Sequence, residues 1–170
     1  FKTAQNNVAT VFSTVVKTIG WVGHTHEVLA AAQRLLAHAV NMETGMRGYL
    51  LAGKDGFLAP YKGGKIGFYS ELDSLKETVS DNPAQVARLT EIETLIKDWN
   101  AKVTEPAIAL RRRVERGNGT MAEVVTLVNK QEGKKYFDAF RGKIAEFSGI
   151  EAKLMRERQA TADKANTAAG

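Results

Sequence analysis

Two charged side chains, Glu43 and Arg47, interrupt the apolar positions of the first predicted helix. They stand four residues apart, a spacing at which side chains can pair along one helix face. One interpretation is an intrahelical ion pair that sets the packing register. A second is a small cavity between helices in which Arg47 binds an anionic group through two parallel hydrogen bonds. A third is a solvated crevice without a function.

Distances along the chain from the predicted loops place further side chains near this pair. Arg47, Tyr61 and Arg111 lie at similar distances from a loop, so we expect them at one level, near the end of the fold away from the termini. Lys65 and Glu105 should lie about one helical turn, roughly 5 Å, below them. An aromatic wall beside the charged groups would complete a ligand pocket. The candidate ligand-binding residues are therefore Glu43, Arg47, Tyr61, Trp99 and Arg111.

The sequence contains no recognisable arrangement for catalysis or for holding a cofactor. It has no cysteine, which excludes disulfides, thiol nucleophiles and thiolate zinc sites. The three histidines, His24, His26 and His38, have no carboxylate or histidine partner at metal-ligand spacing. Phosphate-binding glycine loops and Ser/His/Asp arrangements are also missing from the sequence. We expect no enzymatic activity, no metal and no cofactor.

The net charge of +5 and the isoelectric point near 9.5 would suit an anionic partner only if the charge were clustered. The densest basic run is Arg111, Arg112 and Arg113, with Arg116 close behind. Consecutive residues fan out around a helix, so at most two of these side chains can face one way. No aromatic residues are interleaved with them, as single-stranded nucleic acid would require. We therefore expect no nucleic-acid partner.

The elements that must position the candidate residues are amphipathic helices. Alternating steps of four and three residues from the first valine of the seam meet an apolar residue at nine of thirteen positions, which is a heptad pattern. The positions are Val8, Phe12, Val15, Ile19, Val22, His26, Leu29, Gln33, Leu36, Val40, Glu43, Arg47 and Leu50.

Similar periodicity predicts four helices, over about 8–51, 57–79, 84–115 and 120–165. Gly53 and Pro83 mark two of the breaks, and Thr120 with Glu123 forms a capping box at the start of the last helix. Pro106 should kink the third helix or split it after Thr104.

Four helices with short loops predict an all-α fold, an antiparallel up-down-up-down four-helix bundle that forms a single domain over 1–170. Both termini should lie at one end. The first and last helices are the longest, so we expect them to project as a stalk through which a homodimer forms. No window reaches the roughly 18 apolar residues of a membrane span. The chain starts on Phe1 without a signal-peptide pattern, which suggests a fragment of a longer protein.

Three segments carry a family resemblance. Residues 41–61 read NMETGMRGYLLAGKDGFLAPY, and Trp99 is followed by Glu-Pro-x-Ile-Ala-Leu-Arg-Arg over 105–112. The third segment, 133–158, begins Gly-Lys-Lys-Tyr-Phe-Asp and ends with Glu-Arg. Together they resemble the CHASE domains of the third type, extracytoplasmic sensory domains of bacterial transmembrane receptors. Met46, where glutamine is frequent, and the Gly63-Gly64 pair inside the second helix depart from the family pattern.

The resemblance implies a periplasmic four-helix sensor flanked by transmembrane helices of an inner-membrane receptor, preceding a chemotaxis signalling region, a histidine kinase or a cyclase. A methyl-accepting chemotaxis receptor is our first hypothesis, with a kinase input domain or a ligand-free structural bundle as alternatives. A basic module that binds nucleic acid or an anionic surface is a further alternative. The partners expected are a small molecule or a ligand-loaded binding protein. The resemblance names no ligand.

Overall fold

The computed structural model describes residues 2–169, and within that range every regular element is helical. The elements in chain order are α1 (Lys2–Ala52), a 3₁₀ turn (Asp55–Leu58), α2 (Ala59–Thr78), α3 (Pro83–Trp99), a π turn (Asn100–Thr104), α4 (Glu105–Glu115), α5 (Met121–Asn129) and α6 (Glu132–Ala169). The expectation of an all-α chain is therefore confirmed.

Local signals in the sequence account for most helix ends. Gly53 adopts a positive φ of 68° and its N–H donates to the Tyr49 carbonyl, which ends α1. The Asn82 side chain accepts a hydrogen bond from the Gln85 backbone N–H at the start of α3. The predicted capping box is present at the start of α5, with both of its hydrogen bonds formed.

Two of the predicted helices are not regular α-helices along their whole length. The last one is divided because Gln131 has a φ of 55°, a left-handed conformation that an α-helix cannot contain. The third does not break at Pro106 but widens just before it, into the π turn of Asn100–Thr104. In this turn the Glu105 N–H donates to the Asn100 carbonyl, five residues back.

The chain forms two compact units, each with its own interior. One unit, Ala31–Phe147, contains α2, α3, α4, α5 and the adjoining parts of α1 and α6. Its largest fully buried apolar side chains include Leu35, Met42, Tyr49, Phe68, Leu72, Leu89, Ile92, Trp99 and Phe147. The other unit combines the described residues up to Ala30 with those from Ser148 onward. There Val28 and Glu151 are buried, whereas Phe12 and Ile19 are exposed.

Close contact between α1 and α2 explains two of the three glycines of α2, Gly64 and Gly67. A Cβ on Gly64 would lie 2.6 Å from the His38 carbonyl oxygen, and one on Gly67 would meet the His38 ring. On the facing side, a Cβ on Gly45 would collide with the Tyr61 backbone nitrogen. Gly63 and Gly64 thus do not make α2 irregular, and Gly64 and Gly67 let α1 and α2 approach closely.

The buried face of α1 lies one residue earlier than the heptad seam predicted. The buried positions include Thr25, Val28, Ala32, Leu35, Ala39, Met42, Met46 and Tyr49, where the prediction had His26, Leu29, Gln33, Leu36, Val40, Glu43, Arg47 and Leu50. Of the predicted set, only Leu50 is buried. The error has a physical cause, since the phase was set from the large apolar residues near the start of α1. Val8, Phe12 and Ile19 are between 66 and 70% exposed and so do not report the interior.

Candidate functional site

Tyr61 lies at the centre of a buried polar network between α2 and α4. Its hydroxyl donates to Glu105 Oε1 at 2.6 Å and lies 2.9 Å from Thr104 Oγ1. Burial, and secondly the hydrogen bond to Glu105, raise the pKa of the Tyr61 phenol well above its ordinary value. The group therefore stays neutral and serves as a hydrogen-bond donor at physiological pH.

The π turn supplies the other half of this network. Thr104 is fully buried, and its Oγ1 lies 3.2 Å from the Asn100 carbonyl oxygen and 3.1 Å from Asn100 Oδ1. Asn100 Nδ2 in turn donates to the Tyr69 hydroxyl at 3.4 Å. Lys65 Nζ reaches Glu105 Oε1 at 3.4 Å, so these two residues lie at one level as predicted. The network binds α2 to the turn through side chains that are bonded to one another.

Arg111 is buried, and its hydrogen bonds are to the protein itself. Its Nε donates to the Leu50 carbonyl oxygen at 2.8 Å, and one terminal nitrogen binds Glu115 Oε1 at 2.6 Å. The Leu50 carbonyl belongs to the last turn of α1, where helices leave carbonyl groups without a partner of their own. A Cβ on Gly53 would collide with the Arg111 guanidinium. Arg111 therefore caps the C-terminal end of α1 and packs against the turn that follows.

Glu43 and Arg47 form the predicted ion pair, with 3.0 Å between Glu43 Oε1 and an Arg47 terminal nitrogen. The Arg47 side chain is 72% exposed, so the pair lies on the surface and not on the buried seam. The one-residue displacement of the buried face of α1 places Met42 and Met46 inside instead. Arg47 therefore points to the solvent and not into a cavity between helices.

Trp99 is a core residue in this structure. Its ring is 2% exposed and meets the Phe137 ring edge-on, with 5.6 Å between the centroids. Gly133 lies beside it, where a Cβ would be 3.7 Å from the indole nitrogen. Among the five candidate residues, Glu43 and Arg47 contact each other, and the other three have separate partners.

Trp21, which the heptad seam passed over, lines a groove of about 280 Å³ in the unit formed by the ends of the chain. The Arg158 guanidinium carbon lies 3.9 Å from the centroid of the Trp21 ring, a cation–π contact. The groove is lined by Thr14, Lys17, Trp21, Leu154, Glu157, Arg158 and Thr161. A tryptophan four residues after a lysine, outside the seam, was the available signal in the sequence.

Metal binding and membrane spanning find no support in the described part of the chain. Between residues 2 and 169, no three His, Asp or Glu side chains are grouped so that they could hold a metal ion. None of the helices described in that range combines the length and the apolar character of a membrane span.

Comparison with known proteins identifies the family. The profile of the CHASE3 domain matches residues 18–161, which is most of the chain. The chain belongs to the CHASE3 family. No curated protein matches it in sequence. Among solved structures, the crystal structure of the sensor domain of the Rhodopseudomonas palustris histidine kinase HK9 has a similar fold, with a TM-score of 0.67 and 20% identity over 78% of this chain and 98% of that one.

CHASE3 membership gives the polar network and the Arg111 cap a context. CHASE3 domains are sensory input domains. In this CHASE3 domain Tyr61 bonds Thr104 and Glu105, and Arg111 bonds the backbone carbonyl of Leu50 at the end of α1. These contacts hold α2 against the π turn and α4, and they hold the end of α1 against α4.

Proposed function

We propose that this CHASE3 domain is the periplasmic signal-input domain of a methyl-accepting chemotaxis receptor in the bacterial inner membrane. The match of the CHASE3 profile to residues 18–161 is the observation that carries the sensory role. The input domain of a sensor histidine kinase is the second candidate, favoured by the fold of the HK9 sensor domain. A bundle that binds no small molecule is the third candidate. It is favoured because Tyr61 and Arg111 form their hydrogen bonds with other groups of the chain, Glu105 and the Leu50 carbonyl.

The proposed architecture is an antiparallel four-helix bundle with both termini at the membrane-proximal end. The first two helices of the bundle would be α1 and α2. The third would consist of α3 and α4 together, and the fourth of α5 and α6 together. The short connections between them support this arrangement, because short loops join antiparallel neighbours. A stimulus would shift the packing of these four helices. Because α1 is a single helix of 51 residues, it would carry the displacement along its axis.

A homodimer through the first and last helices is part of the proposal. Val8, Phe12, Val15 and Ile19 follow the four-three spacing of a coiled-coil seam and are all exposed. A second copy of the chain would bury this stripe. At a concentration where the 170-residue chain sediments as a dimer, Phe12→Glu should give a monomer with unchanged helical content. A chain that is monomeric before the substitution would contradict this part of the proposal.

The ligand is proposed to be either a small molecule or a ligand-loaded binding protein. Glu43 and Arg47 are the two of the five candidates whose charged groups are accessible. A thermal-shift screen of organic acids, amino acids and amines tests direct binding, since a ligand of the native state raises its melting temperature. Binding of an organic acid that Arg47→Ala abolishes, and that Arg113→Ala retains, would place the site at this pair. A screen without a stabilising compound would favour the ligand-free role.

Two experiments test the receptor type: sequencing of the gene on both sides of the domain, and fusion of the domain to known signalling regions. We expect segments of about 20 apolar residues on both flanks of the domain, as membrane spans require. Hybrids that join the domain to a chemotaxis signalling region or to a kinase should differ, with the chemotaxis hybrid restoring directed swimming. A gene in which the domain is fused directly to a kinase, without a chemotaxis region, would decide for the second candidate.

A further inference from the structure

The burial pattern changes phase at the π turn. Along α3 the buried positions follow the three-and-four spacing of an α-helix, through Gln85, Leu89, Ile92, Ile96 and Trp99. The same spacing would next bury Val103, but the structure buries Thr104 completely and leaves Val103 only half-buried. Asn100, next to Trp99, is buried as well, and the Glu105 N–H donates to the Asn100 carbonyl five residues back instead of four. The π turn thus contains one residue more than a continuous α-helix needs.

The extra residue gives α4 two alternative faces. With the turn present, the buried set is Thr104, Ala107, Ile108, Leu110 and Arg111. If α3 and α4 formed one unbroken α-helix, each residue after the turn would take the place of its successor, a rotation of about 100°. The buried set would then be Val103, Pro106, Ala107, Ala109 and Leu110, which is entirely apolar.

The polar contacts described above belong to one of these faces alone. Tyr61 bonds Thr104 and Glu105, and Arg111 bonds the Leu50 carbonyl. Rotation of α4 would carry Thr104 and Arg111 outward and release the end of α1. Pro106 also favours the present face, because in an α-helical turn its ring clashes with the carbonyl four residues earlier, that of Lys102. A π turn directly before the proline relieves that clash.

We propose that α4 is a two-register helix, which switches between the polar face held by Tyr61 and Arg111 and an apolar face reached when the π turn becomes α-helical. A switch requires that one sequence has two packings of comparable free energy. π turns are frequent at functional sites in other proteins. The register change would serve the signal-input role, but it is a property of the chain and is measured without any ligand.

The test uses the reactivity of a single thiol in the 170-residue chain, which has no cysteine of its own. Ala109 is exposed, and in the second register it would take the buried place of Leu110. Ala109→Cys therefore reports the register through its rate of alkylation by iodoacetamide. Ala87→Cys, exposed on α3 before the turn, is the matched control and should not respond.

Two substitutions on different helices should shift the register toward the apolar face. Pro106→Ala removes the ring clash, and Tyr61→Phe removes the hydrogen bonds that hold Thr104 and Glu105. Each should change the ratio of the two registers by about tenfold or more, the effect of an interior proline or of a hydrogen bond to a charged group. Alkylation at position 109 should slow relative to position 87 as the rotated form becomes populated, by about threefold once about two thirds of the molecules adopt it.

Deletion of Lys102 is the third arm. It removes the one extra residue while leaving both flanking faces in their present phase, so the thiol at position 109 should stay as reactive as that at position 87, even together with Tyr61→Phe. Equal reactivity at 109 and 87 in every background would overturn the proposal. Loss of helical content in both Pro106→Ala and Tyr61→Phe would overturn it as well, because no second packing would then exist.

Discussion

The neighbouring glycines Gly63 and Gly64 in α2 should respond in opposite ways to the same substitution. A Cβ on Gly63 meets no atom within 4 Å, so Gly63→Ala gains helix propensity and should stabilise the fold by about 0.5–1 kcal/mol. A Cβ on Gly64 would lie 2.6 Å from the His38 carbonyl oxygen and 2.9 Å from Met42 Cγ. The carbonyl belongs to the backbone of α1 and cannot rotate away.

Overpacking of this kind costs about 1–3 kcal/mol, which should offset or exceed the propensity gain in Gly64→Ala. The two variants should therefore differ by about 1–3 kcal/mol in the free energy of unfolding, or by about 2–4 °C in melting temperature per kcal/mol for a chain of this size. Urea denaturation followed by circular dichroism at 222 nm measures the difference, with equal m-values as the check that the unfolded states match. If Gly64→Ala is as stable as Gly63→Ala, α1 and α2 do not approach as closely as described, and the explanation of the α2 glycines fails.

Three further outcomes follow from the polar side chains. Arg111→Lys should lower the free energy of unfolding in urea by about 1.5–3 kcal/mol, because one ammonium cannot reproduce both hydrogen bonds. The control Arg113→Lys, on the exposed side, should change it by less than about 0.5 kcal/mol. Equal losses in the two variants would contradict the capping role of Arg111. Glu43→Gln should change stability by less than about 1 kcal/mol, since exposed ion pairs contribute little, and a larger loss in the same assay would mean that the pair with Arg47 is buried in solution. The raised pKa of Tyr61 means that the folded state favours the neutral phenol, so this contribution is present below the ordinary tyrosine pKa of about 10 and is lost as the pH rises above it. Unfolding midpoints measured between pH 8 and 11 should fall less steeply for Tyr61→Phe, and parallel curves would show that Tyr61 does not titrate with unfolding.

Helix ends could be predicted from the sequence because their causes are local. The positive φ of Gly53, the Asn82 cap before a proline and the box of Thr120 with Glu123 each involve residues within one turn of the boundary. The apolar pattern of the last helix pauses near Gly133, but it does not predict a helix end at Gln131, because glutamine carries no preference for a left-handed conformation. Sequence alone cannot identify such a residue unless its neighbours signal a turn.

The phase of α1 and the partners of the candidate site could not be predicted, because their causes are distant in sequence. Apolar residues reveal a buried face only where something covers them, and Phe12 is exposed in this chain. Arg111 is predicted as a ligand-binding residue, but its partner is the backbone carbonyl of Leu50, an acceptor that every residue has and no side-chain pattern marks. Pro106 predicts an interruption, but no sequence pattern marks its form, a π turn in which the Thr104 hydroxyl lies 3.2 Å from the Asn100 carbonyl oxygen.

The five-residue step between Trp99 and Thr104 also has a genetic consequence. A π turn differs from an uninterrupted α-helix by a single residue, so the loss or gain of one codon in this stretch separates a sensor with a movable joint from a rigid one. The change leaves the contact surfaces on both sides in phase, so it requires no compensating substitution elsewhere. Descendants of one ancestral domain could therefore acquire or discard responsiveness in a single mutational event while keeping the rest of their sequence.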